Sequence, residues 1–233
     1  MSLGELAPLQ IELRDMMHGW GCPLCKLSAK AEAAYIASLN YERVLDLKTR
    51  DALKASRGLC PQHARQWEDV QGSALGIGIV YRVTVLDLLR ATAEAEPSRL
   101  PFRRKASAEH SVESLENSGP CPACTIAEGT AARYADLLLK EVGDPEARDL
   151  FISCGGLCLS HLRMTLSRPG ASRGSRDLLA SQRQAWRMLM AELEEFIRKN
   201  DYRFVGEQLT EAEASSWYRA VDAVVGLRSR KPM

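Results

Sequence analysis

The organisation of this 233-residue chain is decided by four short segments: CPLC (22–25), GLCPQH (58–63), CPAC (121–124) and GLCLSH (156–161). In each half of the chain a Cys-x-x-Cys pair is followed by a Cys-x-x-His pair. The second and third cysteines are 35 residues apart in the first half and 34 residues apart in the second. A composite motif repeated at nearly constant spacing is typical of an internal duplication.

The two halves also match between the motifs. Counted back from the third cysteine, identical residues recur at equal distances in both halves: Gly58/Gly156, Arg50/Arg148, Asp46/Asp144, Val44/Val142 and Leu39/Leu137. We therefore expect a first metal-binding repeat at 1–95 and a second at 118–200. A polar linker at 96–117 would join them, and a C-terminal helix and tail would follow at 201–233.

Composition and apolar spacing predict an all-α fold. Aromatic residues make up only 6% of the chain, and apolar residues recur at steps of three and four, which is helical periodicity. The pattern predicts helices at about 24–39, 47–57, 61–95, 122–142, 145–153, 175–199 and 211–226, and one more after Cys158. Glycines at 72, 76 and 78 are expected to loosen the helix at 61–95.

The repeated residues are of the types that bind a transition metal. Two cysteines in a tight Cys-x-x-Cys turn can converge on one ion, and residues three apart on a helix share a face. Three thiolates and one imidazole form the closed tetrahedral shell of a structural zinc site. We predict two Zn²⁺ ions per chain, one bound by Cys22, Cys25, Cys60 and His63, and the other by Cys121, Cys124, Cys158 and His161. The alternatives are a [4Fe–4S] cluster with one histidine ligand and, behind it, structural disulfides.

The grouping of these eight ligands follows from the duplication. A unit must have worked before it was copied, so each site is expected to close within its own repeat. Local closure also joins segments about 35 residues apart instead of more than 130, although the logarithmic dependence limits this advantage to about 1 kcal/mol. In this arrangement Cys60 and His63 pin the far end of the helix at 47–57 to the CPLC turn.

The seventh cysteine and the overall charge carry less information. Cys154 lies four residues before Cys158 and matches Ser56 of the first half, so it is interpreted as a small buried residue, with a spare redox thiol as the alternative.

A net charge of +1 provides no field that attracts nucleic acid or an anionic membrane. The acidic N-terminus has no signal-peptide core and no apolar stretch is long enough to span a bilayer, so the expected compartment is the cytoplasm.

Over nearly its whole length the chain resembles a prokaryotic family of helical proteins of unknown function. The resemblance rests on the four metal-binding segments together with FIRKNDYRF (196–204) and SSWYRAV (215–221). Members are sometimes labelled as transporter substrate-binding proteins, a role that the lack of an export signal and of an α/β pattern disfavours. The resemblance implies no substrate and no catalytic residue. It does single out the C-terminal segment, which we expect to pack across both repeats.

The predicted function is that of a non-catalytic zinc protein, a scaffold or adaptor that would act through a protein partner. No set of residues typical of a catalytic triad, paired carboxylates or a phosphate-binding loop opposes this interpretation. The alternative is an iron–sulfur or thiol-based redox protein. A nucleic-acid-binding module is disfavoured because zinc-finger spacing is absent.

Overall fold

In the computed structural model, the described part of the chain comprises residues 3–40, 46–93, 115–116, 118–204 and 206–227. Within these residues the protein contains ten α-helices, two short 3₁₀ segments and no strand. The all-α prediction is therefore confirmed. Val44 and all of the predicted linker except 115–116 lie outside the described residues.

The helices follow the sequence-based assignment closely. In chain order they are α1 (Leu3–Met17), α2 (Pro23–Ser38), α3 (Leu47–Ala55), α4 (Pro61–Glu68), α5 (Ala74–Ala93), α6 (Pro122–Glu141), α7 (Pro145–Ser153), α8 (Leu159–Leu166), α9 (Ser175–Lys199) and α10 (Glu211–Val225). The 3₁₀ segments are Ala171–Arg173 and Tyr202–Phe204. None of the helices in the described part of the chain combines the length and the apolarity needed to cross a lipid bilayer.

Two helices differ from the prediction. The single helix expected at 61–95 is interrupted between α4 and α5, where Gly72 has φ +80°, a left-handed conformation that no α-helix continues through. Helix α1 was not predicted. It buries Leu13 and Met17 completely in the core, so packing against other helices stabilises a segment that contains a proline at position 8.

Positions that match in sequence have the same structural role at the start of α3 and α7. Asp46 accepts a hydrogen bond from the backbone N–H of Thr49 at 2.9 Å, and Asp144 accepts one from that of Ala147 at 3.0 Å. Each carboxylate caps the N-terminus of a nine-residue helix. Such a cap satisfies a backbone donor that the helix itself leaves free.

The chain divides into two compact units. The first unit consists of Met1–Lys30 and Ala127–Met233, and the second of Ala31–Ile126. This division differs from the consecutive segments 1–95 and 118–200, which remain a prediction about the repeat in the sequence. The C-terminal segment, with α10, belongs to the first unit.

Each unit has its own apolar core. Among the described residues the core of the first unit contains eighteen buried members, including Leu13, Leu24, Leu138, Phe151 and Leu178. The core of the second unit contains eight: Tyr35, Ile36, Leu39, Leu53, Leu59, Trp67, Val80 and Ala123. Within the described residues, the second unit therefore has the smaller apolar core and gains less stability from apolar burial.

Gly174, immediately before α9, provides a test of the close packing in the first unit. A Cβ atom at this position would lie 2.0 Å from the backbone carbonyl oxygen of Leu139, so Gly174→Ala is expected to lower the free energy of unfolding by about 1–3 kcal/mol. The measurement is urea denaturation. Gly129→Ala is the matched control, because the same methyl group would meet nothing within 4 Å in the middle of α6. That change should leave stability unchanged or raise it, and equal losses from both substitutions would contradict the packing argument.

Candidate metal centres

All four ligand pairs lie at the starts of helices. Cys22 directly precedes α2 and Cys121 directly precedes α6, with the second cysteine of each pair in the first helical turn. Cys60 and Cys158 are the N-cap residues of α4 and α8, and the histidine follows three residues later. The free backbone N–H groups and the helix dipole at an N-terminus stabilise thiolate, which is the form of cysteine that binds metal.

A glycine orients each N-cap cysteine. Gly58 has φ +96° and Gly156 has φ +75°, and their N–H groups donate to the carbonyl oxygens of Leu53 at 2.7 Å and Phe151 at 3.0 Å. This left-handed turn ends the preceding helix and directs the chain into the next one. The repeated Gly-Leu-Cys sequence is therefore explained by a turn that a residue with a side chain rarely adopts.

The first cluster combines the start of α2 with the start of α8. It contains Cys22, Cys25, Cys158 and His161, all in the first unit, and we name it the α2–α8 cluster. His161 Nδ1 lies 3.4 Å from Cys22 Sγ and 3.3 Å from both Cys25 Sγ and Cys158 Sγ. The Sγ atoms of Cys25 and Cys158 are 3.7 Å apart.

The second cluster combines the start of α4 with the start of α6. It contains Cys60, His63, Cys121 and Cys124, all in the second unit, and we name it the α4–α6 cluster. His63 Nδ1 lies 3.2 Å from Cys60 Sγ, 3.6 Å from Cys121 Sγ and 3.4 Å from Cys124 Sγ. The Sγ atoms of Cys60 and Cys124 are 3.8 Å apart.

These distances agree with the edges of a tetrahedron around one ion. With Zn–S bonds of about 2.3 Å and Zn–N bonds of about 2.05 Å, a regular tetrahedron places sulfurs about 3.8 Å apart and sulfur and nitrogen about 3.6 Å apart. In each cluster the four ligand atoms lie within 4.8 Å of one another. Both clusters could therefore hold a single metal ion without rearrangement of the backbone.

The predicted grouping of the ligands is wrong. All eight predicted residues come together, but Cys22 and Cys25 meet Cys158 and His161, and Cys60 and His63 meet Cys121 and Cys124. Each cluster therefore combines the Cys-x-x-Cys pair of one half with the Cys-x-x-His pair of the other. The helix at 47–55 is accordingly followed by ligands that join the CPAC turn and not the CPLC turn.

Helix lengths explain why the clusters do not close locally. The 16 residues of α2 carry the chain about 24 Å away from the CPLC turn, at 1.5 Å per residue. The nine residues of α3 return it by at most about 14 Å. The second half has the same imbalance, because α6 has 20 residues and α7 has nine. In each half the residues beside the Cys-x-x-His pair pack at the far end of the long helix. Leu59 and Trp67 share a core with Leu39 of the first half, and Leu157 and Leu162 share one with Leu138 of the second.

Helix packing then brings the Cys-x-x-Cys turn of the other half to the far end of each long helix. In the second unit, Ala123 in the first turn of α6 shares a core with Tyr35, Ile36 and Leu39 at the end of α2. In the first unit, Leu24 and Leu27 at the start of α2 share a core with residues 137–139 near the end of α6. The crossed pairing is thus a result of helix packing.

In the α2–α8 cluster the pKa values of neighbouring thiols are shifted in opposite directions, because ionisation of one thiol disfavours ionisation of the next. Hydrogen bonds from Cys22 and Cys25 hold the pKa of Cys158 far below its usual value, against the effect of burial. Burial, followed by the neighbouring thiols, raises the pKa of Cys22 well above its usual value. Burial alone would lower the pKa of His161, but its contacts with Cys158 and Cys25 raise it to about 9.

In the α4–α6 cluster, too, the pKa values of neighbouring thiols are shifted in opposite directions. Burial would raise the pKa of Cys121, but hydrogen bonds from the backbone of Cys60 and Cys124 and from His63 outweigh it and lower the pKa to about 7. Burial and the charge of Cys121 raise the pKa of Cys124 to about 12. Three thiolates this close repel one another, so only a bound cation would let all three ionise together.

The two clusters differ in their accessibility. In the α2–α8 cluster Cys22 and Cys158 are buried, and the backbone of Gly226, just after α10, covers the sulfurs: a Cβ atom there would lie 3.4 Å from both Cys25 Sγ and Cys158 Sγ. In the α4–α6 cluster the histidine is buried and the three cysteines are half-buried. The backbone directly after α10 thus shields the α2–α8 cluster.

Cys154 belongs to neither cluster. It lies in the core of the first unit, fully buried, and its Sγ donates to the carbonyl oxygen of Phe151 at 3.2 Å. Burial raises its pKa to about 11, so little reactive thiolate forms. These observations agree with its interpretation as a small buried residue and disfavour a spare redox thiol.

One residue close to a ligand was not predicted from the sequence. Glu32 of α2 lies beside His63, with Oε1 3.5 Å from Nε2. Counted from the Cys-x-x-Cys motif, the corresponding residue of the second half is Ala131. Comparison of the two halves therefore gives no indication that Glu32 lies at the site.

These features define an all-helical protein with two Cys₃His-type clusters, each able to hold a metal ion. The model of a family of unknown function, DUF6062, matches residues 8–231, and the chain belongs to this family. This confirms the resemblance noted from the sequence. Comparisons with curated proteins and with solved structures return no match.

Proposed function

We propose that the protein is a non-catalytic zinc protein in which each cluster binds one structural Zn²⁺ ion. The observation that carries this proposal is the agreement of the sulfur–sulfur and sulfur–nitrogen distances in both clusters with a tetrahedron of zinc dimensions. Four protein ligands fill that tetrahedron. No position is left for a water molecule or a substrate, as is typical of structural zinc sites.

The compactness of the clusters favours one zinc ion over an iron–sulfur cube. In a [4Fe–4S] cluster each ligand binds a different iron atom, so the ligand atoms must stand farther apart than around a single ion. In both clusters all four ligand atoms lie within 4.8 Å of one another. Three thiolates and one imidazole are also ligands that zinc accepts readily.

Each zinc ion would connect distant parts of the sequence. In the first unit the ion would tie Cys25 to Cys158, 133 residues later, and in the second it would tie Cys60 to Cys124, 64 residues later. We further propose that the two halves arose by internal duplication, which the matching N-caps, glycine turns and helix lengths support. A scaffold whose units are held by such cross-links would present its surfaces to a protein partner.

The first test is the metal content of the full chain. Purification without chelator is expected to yield about two zinc ions per chain, because eight ligands form two complete shells. Elemental analysis by mass spectrometry measures zinc and iron together, and acid-labile sulfide is assayed on the same sample. Abundant iron with sulfide would overturn the zinc proposal. Less than one metal ion per chain would overturn both metal sites.

Redox chemistry is the second candidate function. The observation that favours it is confined to the α4–α6 cluster, where the cysteines are half-buried and the pKa of Cys121 is lowered to about 7. Visible absorption of the purified protein tests the iron–sulfur form of this candidate, since an iron–sulfur cluster absorbs there and zinc does not. A colourless protein with two zinc ions would leave only thiol oxidation as a redox role.

A further inference from the structure

The imidazole of His63 uses only one of its two nitrogens for the α4–α6 cluster. Nδ1 faces the three sulfurs at 3.2–3.6 Å. The side chain is almost fully buried, and Nε2 has no hydrogen-bond partner among the residues that the structure describes. An orphaned polar atom in the interior costs free energy, so its surroundings should contain the group that satisfies it in the metal-bound state.

Glu32 is the group that faces this nitrogen. Its Oε1 lies 3.5 Å from Nε2, slightly beyond hydrogen-bond range. The side chain is only 17% exposed, and within the described residues no lysine or arginine forms an ion pair with it. Burying most of a carboxylate without a partner is unfavourable. A donor N–H on His63 Nε2 would compensate for that burial.

We propose that Glu32 is a positioning residue for the metal ligand His63. Its carboxylate accepts a hydrogen bond from Nε2–H, which keeps the proton off Nδ1 and leaves the Nδ1 lone pair aimed at the ion. A carboxylate that orients a histidine in this way fixes the tautomer of the ring and raises its basicity as a ligand. This inference rests on the proposed zinc function and adds a specific residue to it.

The two clusters differ in the surroundings of their histidines. His161 presents Nδ1 to its three sulfurs in the same manner, but within the described part of the chain it forms no ion pair with a carboxylate like that of His63 with Glu32. At the position that corresponds to Glu32, α6 carries the buried Ala131. Only the α4–α6 cluster should therefore depend on an outer carboxylate, and the α2–α8 cluster provides an internal reference within the same molecule.

The affinity test compares three variants of the full chain in zinc competition with a chelator. The imidazole NMR signals of His63 and His161 report the two clusters separately. Glu32→Ala is expected to weaken zinc binding at the α4–α6 cluster by about 10- to 100-fold and to leave the α2–α8 cluster unchanged. Glu32→Gln retains an acceptor of the same shape and should recover most of the affinity. Glu68→Ala, which removes an exposed carboxylate from the helix that carries His63, should have no effect.

A second measurement uses the unmodified protein and does not depend on the folding of a variant. In the zinc-loaded chain, ¹⁵N NMR should show His63 protonated at Nε2, with this proton exchanging more slowly than the Nε2 proton of His161. Zinc bound at both clusters with a fast-exchanging His63 proton would overturn the role of Glu32 alone. So would equal affinities for Glu32→Ala and Glu68→Ala. An unmodified chain that binds no zinc would overturn the proposed function, and this inference with it.

Discussion

Replacing Cys158 with serine is expected to remove one of the two metal ions and to expose the backbone around Cys22 and Cys25, more than 130 residues earlier in the chain. The reason is the crossed pairing, which places Cys158 Sγ 3.7 Å from Cys25 Sγ. Loss of one thiolate leaves an incomplete shell. The binding free energy of a structural zinc ion, about 10–16 kcal/mol in small zinc domains, is also folding free energy. The α4–α6 cluster should keep its metal.

Zinc analysis combined with hydrogen-exchange mass spectrometry measures this result. Amide exchange should accelerate at 18–30 and 156–166 and stay slow at 60–68 and 121–126. Cys154→Ser is the matched control: it makes the same chemical change four residues away, at a buried position outside both clusters, where the first half has serine. The control should retain two zinc ions. Accelerated exchange around Cys121 and Cys124 in Cys158→Ser, with protection kept around Cys22, would contradict the crossed arrangement.

Removing both metal ions with a chelator is expected to unfold the second unit and to leave the first partly folded. The second unit buries eight core residues among those described, against eighteen in the first, so its stability should depend more on the proposed metal ion. Its short helices α3 and α4, with nine and eight residues, are too short to persist alone. Helix α9 should stay protected because it buries Leu178 in the larger core and Ala185 and Leu189 elsewhere in the first unit.

Hydrogen exchange with and without chelator, followed by re-addition of zinc, measures this difference. Residues 47–68 should lose protection to the level of an unfolded chain and regain it with zinc, while 178–189 should remain slow throughout. A uniform loss of protection along the whole chain would show that the two units do not differ in this way. Unchanged protection at both clusters would show that the metal is not structural.

The crossed clusters also have a consequence for folding. A locally closed first site could form as soon as synthesis had passed His63. Here Cys22 and Cys25 cannot complete their shell until α8 is present, because their partners lie in the second half of the chain. Contacts of such long sequence separation slow folding. We therefore expect the α4–α6 cluster, whose ligands all lie between residues 60 and 124, to be completed first.

Much of this protein is determined by local sequence. Asp46 and Asp144 cap helices because a short carboxylate can reach a free N–H group two or three residues ahead. Gly58 and Gly156 end helices because they accept a left-handed backbone conformation. The eight ligands could be named because three thiols and an imidazole at helix starts are a recognisable donor set. Each of these features depends on residues within a few positions of one another.

Only the tertiary structure decided which Cys-x-x-His pair meets which Cys-x-x-Cys pair. Local closure was favoured by about 1 kcal/mol of loop entropy, which is small compared with the burial of Leu24, Leu27, Tyr35 and Leu39 in the two cores. Long helices α2 and α6 followed by short α3 and α7 kept each Cys-x-x-His pair away from its own Cys-x-x-Cys turn. The position of Glu32 beside His63 follows from the same packing. A repeated sequence thus specified the donors and the turns, whereas the choice between equivalent donor sets depended on which helix ends pack together, a property of the whole chain.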